Sequence, residues 1–231
     1  MKTSLTIFFI AYIVYMGVTT RDSGHGSGIT RKAKAYEMIK EGQSLLKDGD
    51  LVVRLNRDHI SNYIKNFSTQ DKSYSHGGIV LYEDGQPWVF HIINGDENPA
   101  ENFKKDSLAA FCDPARNMAY GIFRYQFSRQ ELKRLHEIIR EWRARRVGFD
   151  YAFNLASDDK MYCSEMISKA LANATHDRIL VKPTKVSGTE ARFFSVYTKL
   201  PFSYTSKLRI VSIDALYKSP SCNLIKKYSY L

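Results

Sequence analysis

Cysteine is scarce in this sequence: three residues among 231, at Cys112, Cys163 and Cys222. None belongs to a cluster of cysteine, histidine and acidic residues with metal-ligand spacing, so we expect no metal site. There is no glycine-rich phosphate loop, and we expect no cofactor. An odd cysteine count leaves at least one free thiol in an exported protein. Either Cys112 and Cys222 form a disulfide, or all three thiols are reduced.

Apolar residues form one long run, residues 5–18, which follows the single positive charge of Lys2. This pattern is typical of a secretory signal peptide, and the run is shorter than the about 20 residues of a transmembrane helix. Its end, Val18-Thr19-Thr20, lacks the usual cleavage pattern, so an uncleaved membrane anchor is the alternative. We therefore expect export to the periplasm or cell envelope. The predicted organisation is a signal peptide or anchor at 1–20, a flexible Gly/Ser tether at 21–30 and one domain at 31–231.

The chain carries a net charge of +10, with 44% hydrophobic and 13% aromatic residues. This composition supports a folded core and excludes a disordered chain. A basic protein favours an anionic partner or surface. Zinc-finger spacing and RNA-binding signatures are missing, and we expect no nucleic-acid partner. A membrane surface or a cell-wall polymer fits the charge better.

Strand and helix patterns alternate along the predicted domain. An Asp84-Gly85 turn joins two apolar runs, which is typical of a hairpin. Ser128 and Glu131 form a capping box at the start of an amphipathic helix. The order predicts an α+β fold, an antiparallel sheet with helices on one side. The predicted helices cover 33–46, a segment from 128 and a segment around 163–174; the predicted strands cover 51–55, 77–82, 87–93, 119–125 and 208–213.

Cys163 lies where the last predicted helix should begin. Asp158 and Asp159 precede it and could cap the helix, and apolar residues follow at helical spacing. The unpaired N–H groups and positive dipole of a first helical turn favour a thiolate, the nucleophilic form. The alternative is a buried cysteine that only packs.

His76 is the best candidate for the base that a nucleophilic cysteine needs. If Asp84-Gly85 is a two-residue turn, Glu83 pairs with Gln86. His76 and His91 then project from the same side of the sheet as diagonal neighbours. We expect the Cys163 sulfur over this face, within hydrogen-bond reach of His76. A three-residue turn would instead send His91 to the opposite face.

Four motifs in order resemble a known family: Gly49-Asp50-Leu51-Val52, Ser75-His76-Gly77-Gly78, Phe149-Asp150-Tyr151-Ala152 and Tyr162-Cys163-Ser164-Glu165. They resemble the circularly permuted NlpC-type, papain-like cysteine hydrolases, the YiiX/YebB-like group, to which the lecithin retinol acyltransferase-like branch is related. The resemblance implies a permuted papain-like fold, with an antiparallel sheet packed against a helix that carries the nucleophilic cysteine.

The resemblance also implies roles: Cys163 as nucleophile, His76 as base and a third polar residue on the following strand. The YiiX-like members have an acidic residue there, whereas this sequence has His91. Ser75, Tyr151 and Tyr162 are candidates for substrate or oxyanion contacts. The group cleaves amide bonds of cell-wall peptides or acyl groups of lipids.

The sequence thus favours an exported cysteine hydrolase that forms an acyl-enzyme on a peptide or lipid of the cell envelope, with association with a membrane. Acyl transfer or lipid hydrolysis at the same site is one alternative. A non-catalytic module that binds the cell envelope is another.

Overall fold

The computed structural model of the protein describes residues 30–94 and 102–230. The expected signal peptide or anchor, nearly all of the tether and most of the loop after the second hairpin strand lie outside the described residues. Within the described ranges, no helix combines the length and the apolar character that a membrane span needs.

A six-stranded sheet, antiparallel at every pairing, forms the centre of the fold, with strand order β10-β5-β1-β2-β3-β4. Two short two-stranded sheets flank it, β6 with β7 and β8 with β9. The strands of the central sheet are β1 Leu51–Asn56, β2 His76–Glu83, β3 Gln86–Ile92, β4 Phe103–Asp106, β5 Asn117–Tyr125 and β10 Cys222–Ser229. The short strands are β6 Gly148–Phe149, β7 Lys160–Met161, β8 Thr184–Lys185 and β9 Arg209–Ile210.

Eight α-helices and one 3₁₀ helix, Lys65–Phe67, surround these strands in the described part of the chain. The first, α1, covers residues 30–45. The others are α2 His59–Ile64, α3 Leu108–Phe111, α4 Arg129–Ala144, α5 Cys163–Thr175, α6 Gly188–Thr198, α7 Phe202–Thr205 and α8 Ile213–Tyr217.

Helices pack on both faces of the sheet, so the prediction of helices on one side is wrong. Odd-numbered residues of β2, such as Ile79 and Leu81, join the core formed with α4, α5 and α8. Val80, on the opposite face, joins a second core formed with α1 and α3. The run Ile79-Val80-Leu81 is apolar at every position because both of its faces are covered.

The hairpin has the register that the Asp84-Gly85 turn predicts. Glu83 pairs with Gln86, and Ile79 pairs with Phe90. Both turn residues have positive φ, 51° and 75°. The two-residue turn is therefore confirmed.

Two edge strands, β4 and β10, escaped prediction because their sequences lack apolar alternation. Strand β4 contains Lys104 and Lys105, and β10 contains Lys226 and Lys227. Such charges are common on edge strands, where they hinder unwanted pairing. The predicted strand 208–213 is largely wrong: only Arg209–Ile210 pairs as a strand, and α8 begins at Ile213.

Candidate active site

Cys163 is the first residue of α5, as the sequence predicts. The N-cap, however, is Tyr162 and not an aspartate. Asp158 lies in the preceding loop and forms an ion pair with Lys169 at 2.7 Å. Glu165 anchors the start of the helix, since its carboxylate accepts the Tyr162 backbone N–H at 3.3 Å.

Burial raises the pKa of the Cys163 thiol above its ordinary value, which favours the protonated form. Backbone N–H groups of Gly77 and Ser164 donate to the sulfur and offset part of this rise, and the nearby Arg54 charge acts in the same direction. The first-turn donors thus act as the sequence argument expects, but desolvation is the larger effect.

All three cysteines are free thiols, so the disulfide between Cys112 and Cys222 is not formed. Burial raises the pKa of Cys222 to about 12. Cys112 is fully buried, and its pKa is raised further. Cys163 is the one cysteine of the three that lines the main cleft.

His76 and His91 form a hydrogen-bonded pair on one face of the sheet, with 2.9 Å between His76 Nε2 and His91 Nδ1. The two rings meet nearly edge to face, and the ring of Phe111 packs against both. The prediction that the two imidazoles share a face is therefore confirmed.

Asp106, at the end of β4, completes a chain of three side chains: its Oδ2 lies 3.0 Å from His91 Nε2. A carboxylate only accepts, so His91 Nε2 carries a proton and donates it. His91 Nδ1 must then accept the N–H of His76 Nε2. His76 Nδ1 is left with a lone pair and can receive a proton. One carboxylate thereby fixes the tautomers of both rings.

The pKa values of these three side chains match that assignment of the tautomers. Burial lowers the pKa of His76 well below its usual value and that of His91 to about 4, so both rings are neutral. Burial alone would raise the pKa of Asp106. The hydrogen bond from His91 and the charges of Arg54 and Lys104 lower it overall, which favours the ionised carboxylate.

Cys163 approaches His76 from the other side of the sheet. A Cβ at Gly77 would lie 3.1 Å from Ile167 of α5, which places α5 on the face opposite the His76 ring. Because His76 is the first residue of β2, both groups open into one cleft at the strand end. In the described part of the chain, no hydrogen bond joins the sulfur to the ring, so the prediction that the sulfur lies over the histidine face within hydrogen-bond reach of His76 is wrong. Such contacts often tighten only when substrate binds.

Gly78 lets β2 and β3 approach closely beside the histidine pair. An added Cβ would lie 2.6 Å from Val89 Cγ1, 2.9 Å from the Phe90 carbonyl oxygen and 3.2 Å from His91 Cβ. Gly78→Ala should therefore lower the free energy of unfolding by about 1–3 kcal/mol, the usual effect of overpacking. Urea denaturation measures this. Gly188→Ala is the control, because a Cβ there meets nothing within 4 Å. Equal stability of the two variants would contradict the expectation.

The cleft has a volume of about 1010 Å³ and contains Cys163, His76, His91 and Asp106 on its lining. Among its other lining residues, one group is basic and another is aromatic. The basic residues are Arg54, Arg57, Lys104 and Arg116. The aromatic residues are Phe67, Phe149, Phe153, Tyr162, Phe193, Phe194 and Tyr197.

The structure brings two of the three predicted contact residues to the cleft. Ser75 is buried on its wall, with its hydroxyl 3.5 Å from the Arg54 carbonyl oxygen. Tyr162 also lines it, and its hydroxyl accepts the Val211 N–H at 2.8 Å. Tyr151 is exposed, packs against Phe149 and is not among the lining residues.

Sequence reasoning missed Asp106 and Arg54. Asp106 lies on an edge strand with no apolar pattern, so nothing in the sequence indicates its position beside His91. Arg54 does leave a trace, as a charge within the apolar run 51–55. It pairs directly with His76 across β1 and β2.

Comparison with known proteins gives a consistent result. The model of a family described as "Permuted papain-like amidase enzyme, YaeF/YiiX, C92 family" matches residues 45–225. The uncharacterized protein YiiX of Escherichia coli K12 is 22% identical over 185 residues, which span 78% of this chain and 85% of that protein. The fold is similar to the crystal structure of YiiX from Escherichia coli O157:H7, with a TM-score of 0.63 and 21% identity, over 79% of this chain and 98% of that one.

That crystal structure is described as a metalloprotein. In the described residues of this chain, no three His, Cys, Asp or Glu side chains converge in a way that could hold a metal ion. The side chains of the described cleft residues therefore do not form a metal-binding donor set.

Proposed function

The chain belongs to the C92 family of permuted papain-like amidases, the YaeF/YiiX group, and from this membership we propose that it is a cysteine hydrolase with Cys163 as nucleophile. The observation that carries the proposal is the chain from Asp106 through His91 to His76, which ends in the cleft that Cys163 also lines. An activated nucleophile needs a base, and that base needs a group to orient it. In the proposal, Cys163 is the nucleophile, His76 is the base, and His91 and Asp106 orient the base.

Activation begins with transfer of the thiol proton from Cys163 Sγ to His76 Nδ1. The proton makes His76 an imidazolium, whose Nε2–H still donates to His91. The ionised Asp106 stabilises this charge through the neutral His91 ring. Since both reacting groups are neutral in the free protein, the ion pair forms only as the substrate enters and the contact closes.

The thiolate then attacks the carbonyl carbon of an amide. In this proposal the backbone N–H of Cys163, at the start of α5, holds the oxyanion, and Tyr162 and Ser75 are further candidates for that contact. His76 gives its proton to the leaving nitrogen, the C–N bond breaks and a thioester remains on Cys163. Water attacks the thioester with His76 as base. The carboxylic acid product is released, and the free thiol of Cys163 is regenerated.

For the substrate, we propose a peptide amide of the cell envelope, with the protein exported there and associated with the membrane. The aromatic residues of the cleft favour a second candidate, an acyl group of a lipid released by hydrolysis or passed to another acceptor. A longer apolar acyl chain would pack against those rings. Hydrolysis rates on matched short-chain and long-chain acyl amides distinguish the two, because only the lipid candidate requires a strong gain with chain length.

Alkylation by iodoacetamide should modify Cys163 first. Its thiol has two N–H donors, whereas the pKa of Cys222 is raised to about 12 and that of Cys112 beyond it. A raised pKa leaves less reactive thiolate, and Cys163 lines the open cleft whereas Cys222 and Cys112 do not, so Cys163 should react fastest of the three. Peptide mass spectrometry over time measures all three sites.

The same experiment separates the enzyme from a non-catalytic envelope-binding module. Because burial raises the pKa of Cys163, its alkylation rate should keep rising above pH 8.5, where ordinary thiols of pKa about 8.5 begin to level off. Equal rates at the three cysteines, or reaction at Cys222 alone, would reject Cys163 as nucleophile and favour the binding module.

A further inference from the structure

Arg54 places a buried positive charge beside the reacting groups. It faces His76 directly across the β1–β2 ladder, and directly opposed residues have Cβ atoms about 4.5–5.5 Å apart. Its guanidinium lies over the Phe111 ring, 4.4 Å from the ring centre, and one of its N–H groups donates to the Phe111 carbonyl oxygen. The charged group is thus held rigidly at the wall of the cleft.

The Arg54 guanidinium has capacity for a further acceptor. Its Nε atom is buried and makes no hydrogen bond. Among the described residues, no carboxylate lies within ion-pair distance of it, and Asp106 interacts with it only through the longer-range attraction of the two charges. Burying an unpaired charge is unfavourable, and buried cations are usually paired. An unpaired guanidinium on the wall of a candidate active site therefore indicates an anion supplied from outside the chain.

The cleft wall carries two further arginines, Arg57 and Arg116. Arg57 and Arg116 are adjacent, since the Arg57 backbone N–H donates to the Arg116 carbonyl oxygen at 2.9 Å. Neither forms an ion pair within the described ranges.

The carboxylates of the cleft are already engaged elsewhere. Asp106 accepts from His91, and Asp58 accepts from the N–H and the hydroxyl of Ser61, both at 2.7 Å. Asp113 accepts the Ala115 N–H at 3.0 Å. The negative charges are satisfied within the protein. The arginines have only carbonyl partners, Phe111 for Arg54 and Pro114, at 3.3 Å, for Arg57, and no ion pair among the described residues.

We propose that Arg54, with Arg57 and Arg116 beyond it, forms a subsite for an anionic group of the substrate, a carboxylate or a phosphate, next to the bond that is cleaved. This inference rests on the proposed function, because it places the subsite relative to Cys163. A guanidinium suits both anions, since its planar N–H groups match their oxygen atoms. Free carboxylates occur on peptides and phosphates occur on lipids, so the two anions correspond to the two candidate substrates.

Binding of an anion at Arg54 would also favour the chemistry. The Arg54 charge is, after burial, the next cause that lowers the pKa of His76 and so opposes the imidazolium. An anion on the guanidinium cancels that repulsion. A negatively charged substrate thereby raises the pKa of His76 as it binds, and a neutral substrate does not.

Iodoacetate and iodoacetamide test the subsite, because they alkylate the same sulfur and differ in one negative charge. The measured ratio is the rate with iodoacetate divided by the rate with iodoacetamide. In the full chain at low ionic strength, this ratio should be larger at Cys163 than for free cysteine. Arg54→Gln should lower that ratio about tenfold, the effect of one nearby charge at a partly buried site. Arg54→Lys should keep part of the preference. Arg209→Gln, which removes an exposed charge that is not on the cleft lining, should leave the ratio unchanged.

The outcomes distinguish the anion subsite at Arg54 from the assignment of Cys163 as nucleophile. A wild-type ratio equal to that of free cysteine, or a ratio unchanged by Arg54→Gln, overturns the anion subsite and leaves Cys163 as nucleophile. Failure of both reagents at Cys163 overturns the nucleophile and the subsite with it. A purely structural Arg54 would change thermal stability but not the ratio.

A second measurement needs no variant and stays informative if Arg54→Gln does not fold. N-hexanoylglycine, hexyl phosphate and neutral N-hexanoylglycinamide are compared as protectors of wild-type Cys163 against iodoacetamide. At least one anion should protect at about tenfold lower concentration than the neutral amide. Stronger protection by the carboxylate indicates a peptide source, and stronger protection by the phosphate indicates a lipid source. Equal protection by all three overturns the subsite.

Discussion

Replacement of Cys163 by serine should abolish turnover and leave the fold intact. Serine is nearly isosteric with cysteine, but its hydroxyl is far less acidic, so proton transfer to His76 no longer yields a useful nucleophile. We expect a loss of about 10⁴-fold or more, as for removal of the nucleophile in other hydrolases. The rate of p-nitrophenyl ester hydrolysis and the mass of the trapped acyl-enzyme both measure this.

The other two cysteines supply the matched controls. Cys112→Ser and Cys222→Ser make the same chemical change at thiols outside the cleft lining, and both variants should keep the wild-type rate if they fold. Retention of full activity in the Cys163 variant would end the thiol mechanism. Loss of activity in a folded Cys222 variant would show that the wrong thiol has been chosen.

Substitutions of the three hydrogen-bonded side chains, His76, His91 and Asp106, should reduce activity in a graded order. His76→Ala removes the base, and such groups contribute about 10²–10⁴-fold. His91→Ala and Asp106→Asn act through the His76 ring, so we expect smaller losses of about 10–100-fold, as for groups that orient a functional side chain. The asparagine can also donate to His91 Nε2, which would reverse the tautomers of both rings. The measurement is kcat/KM for each variant.

The pH profile distinguishes positioning from a merely structural role for Asp106. Loss of its negative charge destabilises the His76 imidazolium, so the pKa of His76 falls. The acid limb of kcat/KM, which reports the base in the free enzyme, should therefore move to lower pH. Asp113→Asn, which makes the same change at a carboxylate of the same cleft, should leave the limb in place. Equal shifts in both variants would assign the effect to general charge and remove Asp106 from the mechanism.

Local features were predictable from the sequence because neighbouring residues determine them. The Asp84-Gly85 turn fixes the hairpin register, and strand alternation then places His76 and His91 on one face. The observed pairing of Glu83 with Gln86 and the 2.9 Å contact between the rings agree with that reasoning. The capping box of Ser128 with Glu131 marks the start of α4 in the same way.

The partner of His91 and the charge beside His76 were decided by pairings between distant segments. Asp106 reaches His91 only because β4 adds to the edge of the sheet beside β3, with His91 opposite Lys104. Its lysine-rich sequence carries no pattern that indicates such pairing. Arg54 stands beside His76 because β1 inserts between β2 and β5, an order that local patterns do not specify.

By itself, the sequence determined the α+β class, the hairpin that joins the two histidines and the position of Cys163 at a helix start, because turn chemistry and periodicity act over a few residues. The tertiary structure alone decided that helices cover both faces of the sheet, that Asp106 forms a hydrogen bond with His91 and that burial raises the pKa of the Cys163 thiol. Those properties depend on burial and on contacts between segments far apart in the chain. Desolvation outweighs the helix N-terminus at Cys163, and only the packed fold sets how much water is excluded there.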